Sequence, residues 1–115
     1  MRLIEEDFDK EMMQIYWSAK DKCSYTASKY FQMLHEHKGI ETAKRLLAKS
    51  SLQYGFSRLW ECNCLDITVE CLVLKPKYQA LFEEHHLEEA RWRLRQHGFD
   101  PSLCENNDNV RQVYE

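Results

Sequence analysis

From Glu5 to about Lys22 the apolar residues Phe8, Met12, Ile15, Tyr16, Ala19 and Cys23 recur at steps of three and four, the spacing that lines one face of an α-helix. Glu5, Glu6 and Asp7 fall in its first turn, where negative charge is favoured by the helix dipole. Ser24-Tyr25-Thr26 has modest helix propensity and two good N-capping residues, so a break is placed there; one continuous helix to His37 is the alternative. A second helix, about Ala27 to His37, buries Ala27, Tyr30, Phe31 and Leu34. It is expected to end at Gly39, closed by a positive φ. A third, about Glu41 to Lys49, turns Ala43, Leu46 and Leu47 inward and is terminated by Ser50 and Ser51.

The stretch Gly55 to Leu74 has the densest apolar content of the chain, and its charges Arg58, Glu61, Asp66 and Glu70 are spaced so that two short helices each keep a wet side. It is expected to form the core. Gly55 opens the first helix, which carries Phe56, Leu59 and Trp60, and Asn63 breaks it; Trp60 is assigned to the interior. Asp66 is expected to cap the second, Ile67 to Leu74, by accepting the free N–H groups of its first turn. Pro76 stops that helix or begins the next turn or two, to Phe82, where proline at the first position forfeits no hydrogen bond. The last strong helix, about Glu83 to His97, aligns Leu87, Ala90, Arg91 and Leu94 and stops at Gly98. Its acids lie toward its start and Arg91, Arg93 and Arg95 toward its end, in accord with the dipole. From Asp100 the chain is polar and aperiodic, which predicts a helical domain over 1–99 and a loosely held tail over 100–115.

Composition sharpens the class. A chain of 115 residues with 43% hydrophobic and 30% charged content is the size and make-up of one soluble globular domain. Three Gly and two Pro are too few for the reversals of an all-β chain. The expectation is therefore all-α, a compact single-domain bundle of five to seven helices. A net charge of −3 lacks the basic excess of a general nucleic-acid binder. The acidic N-terminus lacks the basic region of a signal peptide, and four charges within the central stretch are too costly for a membrane span, so a cytoplasmic location with no membrane partner is expected. The five cysteines, at 23, 62, 64, 71 and 104, are then expected to be reduced thiols, several of them small apolar core residues.

The run Gly39-Ile40-Glu41-Thr42-Ala43-Lys44-Arg45-Leu46-Leu47, followed by Gly55-Phe56 through Leu59-Trp60-Glu61, Leu65-Asp66-Ile67-Thr68-Val69-Glu70, Leu72-Val73-Leu74, Pro76, Tyr78, Leu81-Phe82, and Ala90-Arg91 with Leu94, resembles a pattern in a family of small bacterial proteins of unassigned activity. The likeness spans about two thirds of the chain, from the second helix to Gly98. It implies bacterial origin, or a phage or mobile element of bacteria, and an all-helical fold, and no active site. Cys62-Asn63-Cys64 stands where that pattern is usually polar or basic, so these cysteines are not what defines the group.

Candidate chemistry is sparse. Glycine occurs only at 39, 55 and 98, so no phosphate-cradling loop can be built. Cys62-x-Cys64 is a poorer zinc clamp than the two-residue knuckle, and no hydrolase signature surrounds any cysteine; no metal or other cofactor is expected. Glu83-x-x-His86 has the spacing of a di-iron carboxylate motif, but a second such pair is missing. His35 and His37, two apart, diverge around a helix and cannot share a metal. Arg91, Arg93 and Arg95, with Lys75 and Lys77, could line up on phosphates, although pairing with Glu88 and Glu89 on a solvated helix end is the plainer reading. Trp17 and Trp92 fall beside their helices' main apolar stripes and are candidates for a partner surface, where tryptophan is enriched. The reading is a non-enzymatic protein that binds another protein or itself. A nucleic-acid-associated regulator using Arg91 to Arg95 comes second, and a hydrolase or metal enzyme with an unfamiliar site third.

Overall fold

The stripe of Phe8, Met12, Ala19 and Cys23 is the buried face of α1, Arg2–Cys23, in the computed structural model, which describes residues 2–48 and 54–106. Glu5 lies in the first turn of α1 and Lys20 and Lys22 in its last, each sign at the dipole end it stabilises. Ser24 then takes a positive φ of 51°, and the Tyr25 N–H returns to the Ala19 carbonyl at 3.2 Å. The chain breaks here, as the low propensity of 24–26 predicts. It resumes as α2, Ser28–Ala48, which packs against α1.

Helix α2 is two helical arms joined at Lys38, whose φ of 67° and ψ of −179° lie outside helical geometry. The sequence places the positive φ on Gly39; the structure moves it one residue back, and the reason is packing. Gly39 is buried against α1, where an added Cβ would stand 2.6 Å from Asp9 Oδ1 and 3.0 Å from the Phe8 ring. Its N–H donates to Asp9 Oδ1 at 2.8 Å, so a carboxylate from another helix caps the second arm. The glycine thus serves close approach, and Lys38 carries the strained backbone. Thr42, fully buried, donates its hydroxyl to the Met33 carbonyl at 3.1 Å across the bend. Lys49, Ser50 and Ser51, expected to end the third helix, lie outside the described residues.

The remaining elements are α3, Tyr54–Glu61; a 3-10 turn, Leu65–Ile67; α4, Val69–Val73; a 3-10 helix, Pro76–Leu81; α5, Glu84–Gln96; and α6, Ser102–Glu105. Among the described residues every element is helical and there is no strand, so the chain is an all-α bundle. Helix α4 is its hub. All five of its residues are buried, and α1, α2, α5, α6 and both 3-10 segments pack on it. Its cap is Thr68 rather than Asp66: the Thr68 hydroxyl accepts the Cys71 N–H at 3.2 Å and donates to the Leu65 carbonyl at 2.7 Å. Asp66 is exposed within the 3-10 turn. Pro76 opens its 3-10 helix, and α5 ends as Gly98 predicts. Gly98, at φ 79°, donates to the Arg95 carbonyl at 3.1 Å, and Phe99 donates to the Leu94 carbonyl at 2.9 Å.

Three expectations are corrected. Trp60 is 48% exposed, not enclosed. Phe56 and Leu59 are the residues α3 turns into the core, and Trp60, one position on, lies at the edge with its ring 4.8 Å from that of His97. Cys71 and Cys104 are not reduced core thiols but a disulfide, with a Cα–Cα distance of 5.3 Å. That bond, with Pro101 and Cys104 buried, makes 101–106 part of the folded domain rather than of a loose tail. Residues 107–115 of the expected tail lie outside the described residues.

Candidate interaction surface

The basic residues of α5 do not form a surface patch. Arg93 is 1% exposed; its Nη1 donates to Glu70 at 2.8 Å and its Nε to Glu89 at 2.7 Å, so it is a core residue bridging α5 to α4. The sequence places Arg91 on the inward stripe, but Arg93 occupies the buried line with Leu87, Ala90 and Leu94. Glu70 is buried with it. Burial pushes its carboxyl above the usual range against the pull of Arg93, which opposes that shift without cancelling it. Arg91 is half-buried under three carboxylates, at 2.8 Å from Glu105, 3.1 Å from Glu84 and 3.2 Å from Glu88. Arg95 is exposed.

The lysines grouped with these arginines in sequence belong elsewhere. Lys75 and Lys77 both face Glu11 on α1, at 2.9 Å and 3.6 Å, and the Tyr78 hydroxyl donates to the same carboxylate at 2.5 Å. Burial alone would raise the Glu11 pKa, yet the hydrogen bonds from Tyr78 and Lys75 together with the two lysine charges hold it below its ordinary value. Each cation named as a phosphate candidate, Arg95 aside, is thus matched by acids of this chain.

The Glu83-x-x-His86 spacing also resolves into structure. His86 is buried, and its Nδ1 accepts the Glu83 backbone N–H at 3.2 Å, one half of a box that caps α5. Burial, with the neighbouring His85, holds its pKa below the ordinary histidine value, which keeps the ring neutral and able to accept. Among the described residues no three Cys, His, Asp or Glu side chains are grouped as metal ligands. No described helix is long and apolar enough to cross a membrane.

Among the described residues, aromatic side chains supply an extended surface feature. Trp17 is 50% exposed on α1, and its ring meets Tyr16 edge-on at 4.9 Å. Tyr16 lies 4.7 Å from Phe31 on α2, and Phe31 lies 4.5 Å from His35. The four rings form a ladder across the α1–α2 seam, with Lys20 Nζ 5.7 Å from the Trp17 ring. The periodicity sets Trp17 off the stripe but Tyr16 and Phe31 inside; both are only partly buried, and their link to Trp17 and His35 depends on how the two helices face each other. Trp92, 56% exposed on α5, does not share a ring contact with this ladder.

Between α1, α2, α3 and α4 lies a partly open pocket of about 240 Å³ lined by Ile15, Ala19, Phe56, Leu59 and Val69 among others. Of its polar members, Glu70 is held by Arg93 and Tyr30 donates to the Met12 carbonyl at 2.7 Å, while Lys29 is exposed. Burial and the Glu70 charge push the Tyr30 phenol well up, so it offers no ready base. The pocket therefore presents an apolar wall without a converging acid, base and nucleophile. No family model, curated protein or solved structure matches the chain.

Proposed function

We propose that this protein is a non-enzymatic binding module that engages a protein partner through the aromatic ladder of Trp17, Tyr16, Phe31 and His35. The observation that carries the reading is a half-exposed tryptophan at the end of a row of contacting rings, on a domain whose charged groups largely satisfy one another. Exposed tryptophan and tyrosine on rigid helices supply large contact area at little cost in conformational entropy, and such residues dominate binding energies at protein interfaces. The exposed charges on these two helices are mixed in sign, with Lys10, Lys20 and Asp21 on α1 and Glu36 on α2, which suits a protein surface better than a polyanion. The nucleic-acid reading has less support with Arg93 inside the core and Arg91 held by three carboxylates.

The partner is a second copy of the chain or another protein of the same cell, and one experiment addresses both. Sedimentation velocity of the purified chain reports self-association, and immobilised chain reports retained host proteins. Trp17→Ala and Phe31→Ala are expected to weaken the association at least tenfold while the melting temperature stays near wild type. Association that survives both substitutions and is lost with Trp92→Ala would move the surface to α5.

A further inference from the structure

Ala19, Cys23 and Leu59 form a small apolar nucleus apart from the main core, where the end of α1 meets the end of α3, and Cys62 and Cys64 pack against it half-buried. The Cys23 thiol is buried in this nucleus, and the Cys64 thiol donates to the Cys62 carbonyl at 3.4 Å. The backbone builds this arrangement. Asn63 takes a φ of 61°, and the Cys64 N–H returns to the Leu59 carbonyl at 2.8 Å, so the turn folds its two thiols back toward α1. All three are free, while Cys71 and Cys104 are joined elsewhere. We propose that this cluster is a modification site for hydrogen peroxide and small hydroperoxides, in which a thiol of the Cys62–Cys64 turn is oxidised and Cys23 closes on it as a disulfide.

Access sets the order of events. Cys62 and Cys64 reach solvent, and Cys23 does not. Burial and the hydrogen bonds of its neighbours push the Cys23 thiol up to about 12, so it stays protonated and does not meet peroxide first. One peroxide oxygen transfers to the sulfur of a turn cysteine: the O–O bond breaks, an S–O bond forms, and one water leaves. The Cys23 sulfur then attacks the sulfenic sulfur. The S–S bond forms, the S–O bond breaks, and the hydroxyl leaves with the Cys23 proton as a second water. Two thiols have lost two electrons and two protons, and the peroxide has taken up both. Two of the influences that hold Cys23 protonated are the neighbouring thiols themselves, so oxidation of one weakens them. The new bond would tie α1 to the α3 turn beside Ala19, Tyr25 and Leu59, which also wall the apolar pocket.

The test uses the intact chain with its Cys71–Cys104 bond, a slight molar excess of hydrogen peroxide, alkylation of remaining thiols and peptide mapping with trypsin and a glutamate-specific protease. Free thiols are expected to fall from three to one per chain, with the peptide containing Cys23 linked to the one containing Cys62 and Cys64. Cys62→Ser and Cys64→Ser should each retain a link to Cys23, and the double variant should lose it. In Cys23→Ala, dimedone should trap a sulfenic acid on the turn. The proposal is overturned by a bond between Cys62 and Cys64, by a bond between chains, by sulfinic acid as the main product, or by no loss of thiol. The wild-type map decides even where Cys23→Ala does not fold.

Discussion

Replacing Arg93 by methionine removes the guanidinium that Glu70 and Glu89 share. The side chains of Arg93 and Glu70 are 1% and 5% exposed, so the carboxylate left behind cannot recover water. An exposed pair would contribute about 0–1 kcal/mol, but breaking a pair at this depth by removing one partner costs about 3–5 kcal/mol. A domain of this size holds about 5–15 kcal/mol in total, so the variant should be barely folded at neutral pH. Glu89 adds little, because its side chain is 32% exposed and can turn to solvent. The orphaned Glu70 has one escape, which is to take up a proton. Burial already raises its pKa against Arg93, and without Arg93 it must rise further. A carboxyl whose folded pKa lies above its unfolded value contributes stability at low pH that is lost as pH rises through the folded value. The deficit of Arg93→Met should therefore shrink toward acid, by up to about 1.4 kcal/mol per pH unit, between that folded pKa and the lower folded pKa that Glu70 has beside Arg93. Glu70→Leu combined with Arg93→Met replaces the pair by apolar side chains of similar size and should return to within about 1–2 kcal/mol of wild type. Urea unfolding at pH 7 and pH 5, followed by tryptophan fluorescence and circular dichroism, measures all three variants. A loss for Arg93→Met no larger than for Arg95→Met, or a deficit that grows toward acid, would refute the reasoning and return Arg93 to the surface.

Lys38→Gly should raise stability by about 1 kcal/mol by relieving a positive φ, net of the entropy glycine adds to the unfolded chain, whereas Gly39→Ala should lower it by about 2 kcal/mol through collision with Asp9 and Phe8. Thermal melts check the pair, and the opposite order would misplace the bend. Trp60→Ala should cost about 1–2 kcal/mol, roughly half of a buried tryptophan, because half of its surface already meets water; a urea midpoint shift equal to about 4 kcal/mol would put it back in the core. Glu11 has a folded pKa below its ordinary 4.5, so its contribution is present above that pH and lost as pH falls through the folded value. Acid titration of Glu11→Gln should show a shallower loss of stability below about pH 4.5 than wild type, and an unchanged slope would remove Glu11 from the account.

Periodicity made the bundle legible because it reports which residues share a helix face. The stripe of Phe8, Met12 and Ala19, the break at 24–26 and the stop at Gly98 are all local facts, and the structure keeps each of them. What periodicity does not report is the neighbour across the seam. Gly39 looked like a helix terminator in isolation, and only the approach of α1 explains why the strain sits on Lys38 instead. Trp60 sits four residues after Phe56 and one after Leu59, which is compatible with either side of the boundary until α5 is in place. Cys71 and Cys104 stand 33 residues apart, beyond any local signal.

The same limit governs the charges, and it bears on function. Along the chain Lys75, Lys77, Arg91, Arg93 and Arg95 read as one basic group because like charges lie close in sequence. In three dimensions Glu11 of α1 draws off the lysines, Glu70 of α4 draws Arg93 inward, and Glu105 of α6 holds Arg91, each acid arriving from a different element. A helix rich in arginine therefore cannot be taken as a polyanion site until the acids of the elements packed on it have been placed. Aromatic rings have no such private partners to be matched with: the edge-on and tilted contacts among Tyr16, Trp17, Phe31 and His35 leave half of Trp17 in water. Covering that surface returns apolar area to a dry environment at about 25 cal/mol per Å², and this remaining gain is what a partner can supply.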